Sequence, residues 1–89
     1  MSEREIVVAN RLGLHARAAA RFVHTAQAFR ARVTVTRDGT RVDGKSILGL
    51  LTLAASKGTR LRLAAEGDDG DAALDALEAL VRDHFGEEA

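Results

Sequence analysis

Cysteine, tryptophan and tyrosine are absent from the 89-residue chain, and phenylalanine occurs three times. Without cysteine there is no disulfide framework, no thiol nucleophile and no thiolate metal site, a usage that agrees with a reducing compartment. The phenylalanines, Phe22, Phe29 and Phe85, read as core side chains, which leaves no aromatic platform on which nucleic-acid bases could stack. No apolar run approaches the roughly 18 residues of a membrane span. The opening Met1-Ser2-Glu3-Arg4-Glu5 lacks the basic-then-apolar order of a secretory signal. A cytoplasmic protein without membrane insertion is expected.

Net charge is missing as well, since 13 Lys/Arg balance 13 Asp/Glu, but the charges are unevenly placed. Residues 1–62 hold 12 of the basic and 4 of the acidic residues, a net +8, whereas residues 63–89 hold Arg82 against 9 acids, a net −8. On one small body this split can create a positive face suited to an acidic protein or a phosphate. The length allows one modest core and hence a single domain over residues 1–89.

The pattern along the chain gives seven elements. Residues 5–9 form a short apolar strand with Ile6 and Val8 on one side, and Gly13 frees the backbone before a helix. That helix spans residues 16–27: Ala19, Phe22, Val23 and Ala26 make an apolar stripe, and Arg17, Arg21 and His24 fall on another. Residues 32–36 alternate, Asp38-Gly39 marks a hairpin, and Thr40-Arg41-Val42 returns. Residues 47–53 suit either a short helix capped by Ser46 or a buried strand; a helix fits better between a hairpin and a further strand. Residues 59–66 alternate with Leu61, Leu63 and Ala65 inward. After the turn at residues 67–70, Ala73, Leu74, Leu77, Leu80 and Val81 define a last amphipathic helix capped near Asp69 or Gly70, and the chain from Gly86 is expected to fray. The fold expected is α+β: a two-layer open-faced β-sandwich, β-α-β-β-α-β-α, with a four-stranded antiparallel sheet and three helices on one face.

Chemistry concentrates where the first strand gives way to the first helix, at Asn10-Arg11-Leu12-Gly13-Leu14-His15-Ala16-Arg17. A histidine at a helix cap lies where unpaired backbone N–H groups, those of Ala16 and Arg17 among them, point outward. Its imidazole is a competent nucleophile near neutral pH, and a phosphoryl group on it would meet amides, the helix dipole and the Arg17 guanidinium. Spacing alone leaves two readings open, this anion site or a half-exposed histidine that closes a loop. Metal binding is disfavoured, because His24 lies across the helix from His15 and His84 is at the far end of the chain. No acidic residue is local to His15, which disfavours a hydrolytic triad.

The stretch Gly13-Leu14-His15-Ala16-Arg17 followed by Ala19, together with Gly44-Lys45-Ser46-Ile47-Leu48-Gly49, resembles the histidine-containing phosphocarrier (HPr) proteins of the bacterial phosphoenolpyruvate-dependent phosphotransferase system. The likeness covers nearly the whole chain in length and element order, and the wording around His15 is similar to the nitrogen-related branch. It implies that His15 accepts phosphate on Nδ1 from phosphorylated enzyme I and passes it to an enzyme IIA-type acceptor, while Arg17 neutralises the phosphate. By the same resemblance Ser46 is a regulatory site for an HPr serine kinase/phosphorylase, and Ile47, Leu48 and Leu51 dock partners. It further implies a monomer, a carrier in place of an independent catalyst, and no cofactor or metal. Ala18 stands where the family commonly has proline. His24 and Gly49 stand where sugar-type members often have lysine.

Ser46 also has a plain role as a helix cap, compatible with phosphorylation: added negative charge there would repel an acidic partner from the neighbouring apolar patch. Residues 39–46 formally match GxxxxGK[ST], but Asp38-Gly39 is better used as a turn, and Asp43 would bring a carboxylate toward a triphosphate. The alternative class is a small nucleic-acid-binding or protein-interaction domain using an arginine-rich face, with Arg32, Arg60 and Arg62 on the polar side of the sheet; strong salt dependence would mark the nucleic-acid case.

Overall fold

Four strands hydrogen-bond in the order Ser2–Val7, Arg60–Glu66, Arg32–Arg37, Thr40–Asp43, every pair antiparallel, in a computed structural model that describes residues 1–88. The elements are β1 (Ser2–Val7), α1 (Ala16–Gln27), β2 (Arg32–Arg37), β3 (Thr40–Asp43), α2 (Ile47–Thr52), β4 (Arg60–Glu66) and α3 (Gly70–Arg82), followed by a 3-10 turn at His84–Gly86. This is the expected order, with the helices against one face of the sheet and the other face open.

Strand alternation decides which face is which. Val33 and Val35 of β2 and Leu61, Leu63 and Ala65 of β4 are buried under the helices, while Arg32, Thr34, Thr36, Arg62 and Ala64 look out from the open face. From the helices, Ala19, Phe22, Val23 and Ala26 of α1, Leu50 of α2, and Ala73, Leu74, Leu77 and Val81 of α3 close the core. Phe22 and Phe85 are buried and Phe29 packs on the core edge, as expected of all three. Asp38 (φ 47°) and Gly39 (φ 86°) make the β2–β3 turn in the left-handed region that such hairpins require, so residues 39–46 do not form a phosphate loop.

Two boundaries depart from expectation. Strand β1 begins at Ser2, because Ser2, Glu3, Arg4 and Glu5 pair with Ala65, Ala64, Leu63 and Arg62 despite their polarity. Arg4 lies on the helix-covered side, in register with buried Leu63, and extends its guanidinium to Asp75 (2.7 Å) and Glu78 (3.0 Å) of α3. Its charge disguises an inward position. Past β1, Val8 continues the pairing through bonds to Thr59 and Gly58. The second departure is the C-terminal end, which is tied down: Phe85 is buried and Gly86 and Glu87 donate to the Asp83 and His84 carbonyls.

Polar side chains close the element ends. Ser46 Oγ accepts the Gly49 N–H at 3.0 Å, the expected cap of α2, and Arg37 donates to the Leu53 and Ala54 carbonyls after it. Lys45 donates to the Phe29 carbonyl at 2.8 Å, a structural role and not a phosphate contact. Asp69 is the N-cap of α3, yet its carboxylate turns away to accept the N–H groups of Arg30 and Ala31.

Candidate functional site

The loop between β1 and α1 is built backbone first. Asn10 is fully buried and spans the turn: its carbonyl accepts the Gly13 N–H, and its Nδ2 donates to the Gly13 carbonyl at 2.7 Å. Gly13 has φ +70°, and a Cβ there would lie 2.6 Å from the Ala55 carbonyl oxygen. The Leu14 N–H bonds to that same oxygen at 2.8 Å, which anchors the loop to the segment leading into β4. Local geometry is therefore set before His15 is reached.

His15 is the N-cap of α1, with extended backbone (φ −78°, ψ 179°), and its carbonyl accepts the Ala19 N–H at 2.8 Å. Its ring does what a serine or aspartate oxygen usually does at a cap: Nδ1 accepts the Arg17 N–H at 3.2 Å. The amides of Ala16 and Ala18, the latter freed by the absence of proline, belong to the same unpaired first turn. The His15 side chain is 28% exposed, and Arg17 is exposed with its guanidinium in no ion pair among the described residues. A ring nitrogen with a lone pair, amides at the positive end of a helix and the exposed cationic residue Arg17 thus belong to one helical turn.

The other ring nitrogen has a partner that sequence reasoning missed. Nε2 faces Oε2 of Glu87, whose Oε1 accepts from Asn10 Nδ2 at 2.8 Å. No acid is local to His15 in the sequence; this one comes from the far end of the chain, which turns back after α3. His84 and Phe85 (both φ 55°) and Gly86 (φ 79°) are left-handed, burial of Phe85 fixes the turn, and Arg21 donates to the Phe85 carbonyl. The Glu87 carboxyl is held below the ordinary carboxylate range, first by the Asn10 hydrogen bond and then by the His15 contact and the Arg21 charge, against partial desolvation. Asn10 Oδ1 is left buried without a partner among the described residues, a local cost of about 1–3 kcal/mol.

The remaining expected residues form a second patch. Helix α2 packs beside α1, with Leu48 77% and Ile47 40% exposed, Leu51 half-buried against the core and Ser46 half-buried at the cap. Leu12, in the His15 loop, adds a further exposed apolar side chain. His24 is exposed near the end of α1, apart from the His15 cap. Across the sheet, Arg32, Arg41 and Arg62 border a shallow depression of about 330 Å³ on the open face. With the phenylalanines in the core, that face has no base-stacking surface, and the nucleic-acid alternative is not favoured. No described helix is long and apolar enough to cross a membrane.

Comparison with known proteins agrees with this geometry. The family described as PTS HPr component phosphorylation site matches residues 2–83. Phosphocarrier protein HPr of Neisseria meningitidis (serogroup A) is 47% identical over 87 residues, 98% of each chain. That of Pseudomonas aeruginosa is 50% identical over 84 residues, 93% of each. Among solved structures, HPr-C-His from Thermoanaerobacter tengcongensis superposes with a TM-score of 0.96 at 45% identity, covering 100% of both chains. The HPr of Bacillus anthracis gives 0.84 at 38% identity over 88% of this chain and 93% of the other.

Proposed function

The chain belongs to the HPr family of phosphocarriers of the phosphotransferase system, and on that premise we propose that His15 takes the phosphoryl group from phosphorylated enzyme I and gives it to an enzyme IIA-type acceptor. The observation that carries the assignment is the Nδ1 lone pair aimed at the mouth of α1, where it accepts the Arg17 N–H at 3.2 Å. In-line approach of the donor's phosphorus lets Nδ1 form the new bond while the Arg17 amide moves from the lone pair to a phosphoryl oxygen. The neighbouring amides and the Arg17 guanidinium balance the charge without enclosing it. A half-exposed site suits a group that has to be given up again.

Residues 1–89 act as one carrier domain, a cytoplasmic monomer with no cofactor of its own, and as a transfer intermediate, not an independent catalyst. Leu48 and Ile47, with Leu51 at the edge, form the apolar ground on which partners settle beside His15. Ser46 is the regulatory position. A phosphate on its Oγ would add roughly two negative charges next to that patch and weaken docking of an acidic enzyme, by an HPr serine kinase/phosphorylase where the cell has one.

The test is phosphoryl transfer from phosphoenolpyruvate and enzyme I to the wild type and to His15→Ala, read by intact mass after neutral and acid treatment. One acid-labile phosphate on the wild type and none on the variant is expected. A label that persists in His15→Ala would place the acceptor elsewhere.

A further inference from the structure

We infer that Glu87 is a positioning residue for the transfer: it holds the His15 ring with its proton on Nε2 and steadies the positive charge that the ring gains once Nδ1 carries phosphate. The inference rests on the reading of His15 as acceptor. A carboxylate only accepts, so the nitrogen facing Glu87 Oε2 has to supply the proton; the nitrogen that accepts the Arg17 N–H has to supply a lone pair. The two ring atoms thus specify the same tautomer through independent contacts, with the nucleophilic nitrogen facing the helix mouth. Were the proton on Nδ1, it would point at another donor and leave Nε2 against a carboxylate.

The transfer step itself moves no proton. The Nδ1 lone pair forms the bond to phosphorus as the bond from phosphorus to the donor breaks, and that electron pair leaves with the donor. The Nε2 proton stays, so the phosphorylated ring is cationic, and the Glu87 carboxylate lies against the atom that shares this charge. The charge is absent from the neutral ring and grows toward the transition state, so the contact favours the transition state over the starting complex. Delivery to the acceptor runs the same sequence in reverse.

Glu87 is itself held. Oε1 is taken by the buried Asn10 amide, and the residues before it are fixed by the Arg21 bond to the Phe85 carbonyl and by the buried Phe85 ring. Asn10 therefore joins the loop that carries the nucleophile to the segment that orients it, through two bonds from one nitrogen.

The experiment compares wild type, Glu87→Gln and Glu87→Ala in two readouts: the rate of phosphoryl acceptance from phosphoenolpyruvate and enzyme I, and the His15 Nε2–H signal in proton–nitrogen spectra of the unphosphorylated proteins. Glutamine has one accepting oxygen and cannot serve both Asn10 Nδ2 and His15 Nε2. Both variants are expected to accept phosphate about tenfold more slowly, on the scale by which a metal-bound histidine suffers when its carboxylate partner is removed, and to lose the protected Nε2–H signal. Wild-type rates in both variants overturn the role in transfer, whatever the ring signal does. A slow variant with an unchanged ring signal also overturns it, because Glu87 would then act on the donor and not on the ring. Failure of the wild type itself to accept phosphate removes the carrier reading, and the ring signal still decides the contact.

Discussion

A histidine that caps a helix joins two duties in one atom. In His15, Nδ1 keeps an amide of the first turn of α1 paired and, on the proposed function, is also the atom whose lone pair would react. Phosphorylation there would remove the lone pair but bring phosphoryl oxygens to the same amide, so the cap would be replaced and not lost. Gly13 sets where that atom stands. A side chain there would have to adopt φ +70° and would meet backbone, the Ala55 oxygen at 2.6 Å and Ser56 Cα at 2.9 Å, neither of which can swing aside. Gly13→Ala should lower stability by about 2 kcal/mol in urea unfolding. It should also slow phosphoryl acceptance by the fraction still folded, since the loop shifts with the glycine. His15 and Arg17 were legible in the sequence because cap, nucleophile and cation are neighbours in the chain. Glu87 was not: 72 residues separate it from His15, and a short acidic stretch after a helix reads as solvated tail. Burial of Phe85 and the left-handed run at His84, Phe85 and Gly86 supply the missing information, and alternation or periodicity carries neither.

Helix α2 shows how six residues divide between fold and contact. Leu50 is fully buried, while Leu48 and Ile47 face solvent from the same short element. Leu50→Ala should cost about 2–5 kcal/mol by thermal or urea unfolding. Leu48→Ser should change stability by less than about 0.5 kcal/mol and instead raise the KM for this chain as substrate of enzyme I. Equal stability losses in the two variants would refute the division. A leucine-rich run has no period of its own, so the helical reading of α2 comes from its neighbours, a hairpin before and a strand after, and the Ser46 cap agrees with it. In contrast, α1 was legible to the residue, its apolar stripe and its cationic positions being spaced for one structure only. The start of β1 was hidden for the opposite reason, since Arg4 reaches its partners on α3 from a position that alternation assigns to an apolar side chain.

The chain as a whole is stapled at points where its elements leave the sheet. Asp69 accepts the N–H groups of Arg30 and Ala31, both at 2.8 Å, and so fixes the entry to β2 against the start of α3. These bonds, that of Arg30 first, hold its carboxyl below the ordinary 3.8. A depressed carboxyl contributes stability that is complete above its unfolded value and is lost as pH falls through the folded one. The stability difference between wild type and Asp69→Asn, measured by urea unfolding, should therefore be largest near neutrality and narrow in acid, as pH falls below the ordinary carboxylate range. A constant gap would show that the charge plays no part. The alternating strands, the hairpin and the three amphipathic helices made the layered fold legible; staples of this kind, which join distant backbone amides to a carboxylate, leave no periodic trace. The return of the chain to His15 has one more consequence, for the order in which the molecule opens and closes. Sheet pairing needs nothing from residues 84–87, whereas the oriented ring needs the longest loop closure that the site contains. A brief release of the final turn, with every strand still paired, would leave the His15 ring held at Nδ1 alone, so exchange of its Nε2 proton should report how often that turn lets go.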